Sequence, residues 1–378
     1  MKKLAICLEH RFYEFEGKLY TKLAFPYSYW KDYLSFFDEV TVVARVKKVY
    51  EFTSDMVRVD GDCVKYEALP YYHGPKQFLI AFIPLVLKIF KVSLTYKHFL
   101  LRSGNSTNIL WFFLMLLRKP YIREYPGNIK EGMIGLVGKK LWVRILAHCL
   151  DSVAKIQAKF SQANSFVSQY CMELYGSQKP SFVFSSFKAS EIDVNKENYN
   201  ISNKFKIVCL GRLEGEKGHA LLLNAISQNA NKSSIEIQLI GDGSQTENLK
   251  KISKDNGLNC IFLGAITDRQ YIFNTMANAD IFIIPSLTEG MPRALLEAMA
   301  IGLPCIGANV GGIPEAIEDS YLYYPHDLDA LNQLIQKFYD SNQLREQVGL
   351  RNKAFISNHF SDSALQEKKH AFWNSVYE

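Results

Sequence analysis

Residues 205–226 read FKIVCLGRLEGEKGHALLLNAI. An apolar run of strand composition stops at Gly211, a glycine-rich turn carries Arg212 and Lys217, and a second apolar run follows at helical spacing. A strand that feeds a helix through a short turn is the repeating unit of a doubly wound parallel sheet, whose ligands sit beyond the carboxyl ends of the strands. At that edge Arg212 offers a guanidinium fork and Lys217, at the predicted helix start, an ammonium. Gly215 and Gly218 let the backbone come close, and the first helical amides are free. The combination suits a diphosphate. A Walker A loop is excluded, because Glu216 stands where that loop requires a glycine before the lysine.

The same alternation continues downstream. Strand-like segments at 235–243, 260–266, 280–286 and 303–310 are separated by helical ones at 217–228, 244–256, 268–278 and 292–301. Upstream, strands are expected at 4–8, 39–45, 99–102 and 120–125, with 18–37, 76–92 and 105–118 as connecting or helical segments. A Ser-, Asn- and Lys-rich stretch at 176–204 reads as a hinge. The expectation is α/β, two doubly wound Rossmann-like domains facing a cleft: a first domain over 1–185, a second over 186–360, and a closing helix over 361–378 returning toward the first domain.

The 378 residues are 48% hydrophobic and 22% charged, the composition of a globular protein with room for two domains. Seven cysteines lie scattered with no C-x-x-C pair, mostly in apolar runs, which suits free thiols in a reducing compartment and a cytoplasmic protein. The first ten residues hold too short an apolar run for a signal peptide. Residues 78–92 and 109–117 are strongly apolar but shorter than a spanning helix needs, so they are expected as buried helices, with contact at a bilayer surface as the other reading.

Charge is uneven. Residues 1–200 carry 28 Lys and Arg against 18 Asp and Glu, and residues 201–378 carry 16 against 20. A basic half can meet nucleic acid, anionic lipid or an acidic substrate, but no zinc-finger spacing, recognition helix or RNP-like aromatic run supports nucleic acid. In residues 138–160, Trp142, Ile145, Leu146, Cys149, Val153, Ile156 and Phe160 recur at three and four while Lys140, Arg144, His148, Lys155 and Lys159 fall on another side. That pattern fits a domain helix with a solvated face or a cationic helix lying on lipid headgroups.

The second constellation is PSLTEGMPRALLEAMAIGLPCIGANVGGIPE, residues 285–315. Glu289 closes a loop, Gly290 turns it, Pro292 suits the first helical position, and Glu297 falls on the helix before Gly302 and Pro304 stop it. Carboxylates beside a cationic site serve hydroxyl groups, which assigns Glu289 to a sugar and Glu297 to a ribose. Gly290, Met291 and Pro292 bracket a second helix start that could face phosphate.

These residues resemble the family 4 retaining glycosyltransferases of the GT-B fold. The resemblance rests on G-R-x-x-x-x-K-G at 211–218, E-x(7)-E at 289–297, and the stretches IGDG, LGAITD, ADIFIIPS and GGIPE; it covers the second domain closely and the first in outline. It implies transfer of a sugar from a nucleotide diphosphate sugar, UDP favoured and GDP possible, to an acceptor hydroxyl with retention and no metal. Arg212 and Lys217 would neutralise the diphosphate, Glu289 would hold the donor sugar and Glu297 the ribose. The implied acceptor is an oligosaccharide or lipid-linked glycan of bacterial surface polysaccharide. A sugar-nucleotide epimerase or hydrolase, or a non-catalytic nucleotide-sugar-binding subunit, are the alternatives. The first domain departs from the family: after its first strand only Gly17 stands where paired glycines are usual, and its later strand ends IREYPGN without a histidine. His10, Arg102, Arg123 and Glu124, at strand ends, are its candidate acceptor or donor-sugar residues.

Overall fold

The computed structural model describes residues 2–22, 24–138 and 140–377. Lys139, within the cationic stretch 138–160, and Glu378, at the end of the closing helix, lie outside the described residues.

The first domain is one sheet of β1 (Lys3–Phe15), β2 (Lys18–Thr21), β3 (Glu39–Lys48), β4 (Val57–Arg58), β5 (Val64–Leu69), β6 (His98–Leu101), β7 (Ile122–Tyr125), β8 (Asn164–Phe166) and β9 (Ser181–Val183). Its parallel part runs β5-β3-β1-β6-β7-β8-β9. Helices α1 (Tyr27–Lys31), α2 (Gly74–Thr95), α3 (Asn105–Leu116), α4 (Ile129–Val137), α5 (Leu141–Phe160) and α6 (Gln169–Tyr175) connect the strands. The four strands expected from sequence form. β1 runs further, to Phe15, after a register shift between Cys7 and Arg11, and turns back as an antiparallel hairpin with β2. β5, β8 and β9 were not anticipated: β5 is polar on its outer side, and three residues are too few for a period to register.

Strand alternation splits the core in two. Leu4, Ile6, Leu8 and Phe12 pack with Trp30 and Phe37 on one face, whereas Ala5, Cys7 and Val43 meet Leu85, Ile89 and Val92 of α2 and Leu110 and Leu114 of α3 on the other.

The three amphipathic segments depart from the simplest expectation. α2 and α3 form, but they are not buried helices: Leu79, Ile80, Ile83, Leu87 and Leu94 of α2 and Phe112, Met115 and Leu116 of α3 are exposed. In α5 the sheet is met by small residues, Ala147, Ala154 and Ala158, with Val143 and Gln157. A close approach, in which Tyr125 donates its hydroxyl to the Ala154 carbonyl, leaves no room for larger side chains. Trp142, Ile145, Leu146, Ile156 and Phe160 consequently face outward beside the cations. Of the cysteines, Cys7, Cys171, Cys209 and Cys305 are buried thiols, while Cys63 and Cys149 are exposed.

The second domain is a parallel sheet of β10 (Phe205–Leu210), β11 (Ile235–Ile240), β12 (Cys260–Gly264), β13 (Ile281–Ile284), β14 (Cys305–Ala308) and β15 (Leu322–Tyr323), in the order β12-β11-β10-β13-β14-β15. It is flanked by α7 (His219–Ser227), α8 (Thr246–Asp255), α9 (Arg269–Ala277), α10 (Arg293–Ile301), α11 (Leu328–Asp340) and α12 (Asn342–His359). The order reverses between β10 and β13, which puts the turns after these two strands at the topological switch point. α13 (Asp362–Tyr377) crosses back and sets Phe372 and Trp373 into the first domain's core.

Besides α13, several contacts join the domains. Glu315 accepts hydrogen bonds from the Gln169 and Tyr170 amides at 2.8 and 2.7 Å, Thr288 donates to Glu131 at 2.7 Å, and Gly290 lies against Gly127 and the Pro126 carbonyl.

Candidate active site

Between the domains opens a cleft of about 620 Å³ whose second-domain wall carries Arg212, Glu216, Lys217, Thr288, Glu289 and Gly290. Arg212 follows β10 by two residues, as the strand-end reading requires. Lys217 closes a single 3-10 turn, Gly215–Lys217, and α7 begins two residues later than expected, at His219. Gly218 between them sits at φ +68°, and a Cβ there would fall 1.9 Å from the Pro285 carbonyl oxygen, so the turn admits glycine alone.

Each cation meets a carboxylate. Lys217 Nζ lies 2.6 Å from Glu289 Oε1, which also accepts from Ser286 Oγ at 2.7 Å. Arg212 donates to Glu216 at 3.1 Å while its side chain remains 62% exposed. Glu216 Oε2 is buried and has no hydrogen-bond partner among the described residues. Lys217 is therefore fixed in place, and Arg212 has the freedom to swing onto an incoming anion.

Glu297 is buried and pairs with Arg269 at 2.6 Å and Arg293 at 3.5 Å. The partners implied by a carboxylate in an apolar run are thus two arginines; the carboxylate does not line the cleft. Helix α10 starts at Arg293, with Pro292 as its N-cap one residue earlier than the sequence suggests. Met291 is part of the second-domain core, so Gly290 alone of the three turn residues faces the cleft. Gly211 precedes Arg212 with φ +157° and does not line the cleft.

In the first domain, the candidates divide by sheet face. Arg123 lines the cleft floor, buried, donating to Gln157 Oε1 at 2.9 Å and the Leu101 carbonyl at 2.9 Å. Its neighbour Glu124 points the other way and pairs with Arg102 at 2.7 Å, in a separate small cavity beside Tyr29, Phe372 and Trp373. Arg102 also donates to the Tyr29 hydroxyl at 2.8 Å. Neither Arg102 nor Glu124 reaches the cleft. His10 bonds Thr21 at 3.3 Å and lies edge-on to Phe12 and Phe25; burial, aided by Arg11, Arg45 and Arg102, pushes it down to about 4. Gly17 is the tip of the β1–β2 hairpin and is not part of the cleft wall.

Residues not singled out from sequence complete the floor: Glu9, Ser103, Asn105, Asn108, Asn128 and Gln157. Glu9 was within reach, since it stands beside His10 at the same strand end. Alternation puts the odd residue on the cleft face and the even one behind it. Its carboxylate pairs with Arg45 at 3.2 Å, takes the Tyr72 hydroxyl, and accepts the Ser106 amide in the first turn of α3 at 2.9 Å.

Residues 191–355 match the family model Glycosyl transferases group 1. Protein CapJ of Staphylococcus aureus is 28% identical over 366 residues, 94% of this chain and 91% of that protein. An O-antigen biosynthesis glycosyltransferase, WbnH of Escherichia coli, is 29% identical across 42% of this chain and 45% of its own length. An E. coli UDP-Gal:alpha-D-GlcNAc-diphosphoundecaprenol alpha-1,3-galactosyltransferase is 33% identical across 35% of this chain and 36% of its own length. Among solved structures, a sucrose-phosphate synthase from Thermosynechococcus elongatus aligns with a TM-score of 0.76 at 15% identity, over 100% of this chain and 99% of that one. Anabaena HepE in complex with UDP-glucose aligns at 0.69 and 18% identity, over 98% and 99%. Residues 191–355 thus match a glycosyl transferases group 1 domain, and the two-domain architecture is the GT-B fold of the structures it aligns with.

Proposed function

We propose that the chain moves a sugar from a nucleoside diphosphate sugar, UDP-linked in preference to GDP-linked, to a hydroxyl of a lipid-linked glycan, with retention at the anomeric carbon. The step belongs to bacterial surface polysaccharide assembly on the cytoplasmic side of the membrane. The observation that carries this is the convergence of Arg212, Lys217 and Glu289 on one wall of the cleft. The relatives' names support it: one acts in O-antigen biosynthesis, and one uses UDP-Gal and a diphosphoundecaprenol-linked acceptor.

In the transfer, the bond from the anomeric carbon to the diphosphate oxygen breaks and its electron pair leaves with the diphosphate. The acceptor oxygen bonds the same face of that carbon, and its proton passes to the departing phosphate. Lys217 and Arg212 stabilise the growing charge, each charged hydrogen bond contributing about 1.5–3 kcal/mol. Glu289, oriented by Lys217 and Ser286, has lone pairs left for the donor sugar's hydroxyls. Glu297 takes the ribose once Arg269 moves aside. With two cations at the diphosphate, the reading calls for no resident metal, and activity should persist in EDTA.

The test offers labelled UDP-glucose, UDP-galactose and GDP-mannose to the protein with a bacterial lipid extract, and determines the anomeric configuration of any product by NMR. Label from one donor should enter the lipid fraction with retention and fail to do so in Lys217→Ala. Epimerisation or hydrolysis of a donor without acceptor, or binding of donor without turnover, would overturn the reading.

A further inference from the structure

Helix α2 is apolar on every side, and such a helix is normally enclosed. Here Leu85, Ile89 and Val92 seat it along the sheet, while Leu79, Ile80 and Ile83 remain 73%, 82% and 71% exposed, with Leu87, Phe90 and Leu94 continuing the outer stripe. Among the described residues it is the one helix long and apolar enough to cross a bilayer. Its contacts say otherwise: the inner stripe shares a core with Ala5, Cys7 and Val43 of the central strands, so the helix lies flat against the domain. α3, packed beside it in the same core, exposes Phe112, Met115 and Leu116, and Phe90 meets Phe113 across the two helices. The outer apolar stripes of α2 and α3 are neighbours.

The charge along this segment of chain has one sign. From Ala68 to Arg123 the chain contains no Asp or Glu, against eight Lys and Arg. Two of those, Arg102 and Arg123, are engaged inside the domain, and Lys76, Lys91, Lys97 and Arg118 are exposed around the stripes. Glu67 pairs with Lys88 of α2 at 2.8 Å, and beyond that pair isoleucines and phenylalanines bordered by cations complement an acyl layer beneath anionic headgroups.

The surface also leads to the cleft. α3 lines the cleft with Asn105 and Asn108 and shows Phe112 and Leu116 to solvent, and at 1.5 Å per residue these positions are about 6 and 12 Å beyond Asn108. The adjoining cleft wall is apolar, with Ile129, Met133 and Leu150. We infer that the outer face of α2 and α3 docks in the plane of an anionic lipid surface, with the exposed isoleucines, leucines and phenylalanines entering the headgroup boundary and Lys76, Lys91, Lys97 and Arg118 meeting lipid phosphates. The assigned face is α2–α3; α5, whose periodicity first suggests a lipid contact, flanks α3 through the hydrogen bond that Gln157 donates to Asn108 Oδ1 at 2.9 Å. The docking site is independent of the sugar donor, and its primary readout, vesicle binding, depends on neither donor nor transfer.

The experiment is vesicle co-sedimentation of the full chain with phosphatidylcholine vesicles, with and without phosphatidylglycerol, at low and high salt. Binding should require phosphatidylglycerol and weaken as salt rises. It should fall about tenfold or more in Ile80→Glu/Ile83→Glu and severalfold in Lys91→Glu/Arg118→Glu. These side chains are exposed and outside the cleft, so the unfolding midpoint and its shift with UDP should match wild type, which separates lost docking from lost folding or lost donor binding. Three outcomes would overturn the inference: no vesicle binding by wild type; binding undiminished in Ile80→Glu/Ile83→Glu; or a concentration-dependent dimer, dispersed by the same pair, with no lipid binding, which would make a second copy the occupant.

Discussion

Lys217 and Glu289, 72 positions apart in the chain, meet at 2.6 Å because the turns after β10 and β13 lie side by side at the topological switch point. Both side chains are mostly buried, so each stabilises the other's charge as well as waiting for substrate. Lys217→Ala should therefore lower the unfolding midpoint, by an equivalent of about 2 kcal/mol, and weaken nucleoside diphosphate binding about ten- to hundredfold. In the double variant Lys217→Ala/Glu289→Gln the midpoint should recover and the affinity should not. Calorimetric titration and thermal melts on the three proteins separate the two roles; a double variant no more stable than the single would refute the coupling.

Gly290 sits where the domains come closest. A Cβ there would lie 2.7 Å from the Pro126 carbonyl oxygen and 2.9 Å from Val167 Cγ2, both on the first domain. Gly290→Ala should hold the cleft ajar, raise the radius of gyration in small-angle scattering with donor present, and cut transfer about a hundredfold. Donor affinity should stay within about threefold of wild type, since Arg212 and Lys217 are untouched. Normal transfer by this variant would mean that closure to this geometry is not required.

Glu315, in the stretch GGIPE, bonds two amides at the start of α6 across the interface. Charge-assisted bonds to backbone amides are among the stronger ones, and Glu315→Ala removes both. The expected result is a wider distribution of interdomain distances by double electron–electron resonance, with the second domain's own melting unchanged. An unaltered distribution would assign Glu315 no part in holding the domains together.

His219 follows the cation turn, buried at the start of α7, with Nδ1 unpartnered among the described residues. Burial, helped by Lys217, pushes it from its ordinary 6.5 down to about 4. The folded protein therefore keeps it neutral where the unfolded chain takes up a proton. Stability is intact above about 6.5 and declines as pH falls toward 4, with a slope of about 1.4 kcal/mol per pH unit from this residue. His219→Gln should flatten denaturant-derived stability over that interval by about one proton's worth. An unchanged slope would show that His219 titrates alike in both states.

The second domain was legible because its strands are continuous apolar runs and its turns carry Gly, Pro and charge at fixed offsets, so Arg212, Lys217 and Glu289 could be named from those turns together with the family resemblance they carry. The first domain's site was not, for a stereochemical reason. At a strand end two neighbouring polar residues point to opposite faces, and nothing local says which face carries the cleft. His10 and Glu124 went behind the sheet, while Glu9 and Arg123 went into the cleft. The amphipathic helices misled differently: periodicity finds an apolar stripe, but in α5 the sheet takes a stripe of alanines, and no period distinguishes a stripe that meets protein from one that meets something else.

Glu9 holds the first turn of α3, and that contact sorts the molecule by polarity. The helix start that the first domain turns toward the cleft already has its anion, supplied by the chain itself. Within the cleft, the diphosphate site we propose falls to the second domain's turns, with Arg212 and Lys217. On that proposal the first domain's floor is left to the acceptor, and exchanging it should change the acceptor while the nucleotide end of the reaction stays as it is.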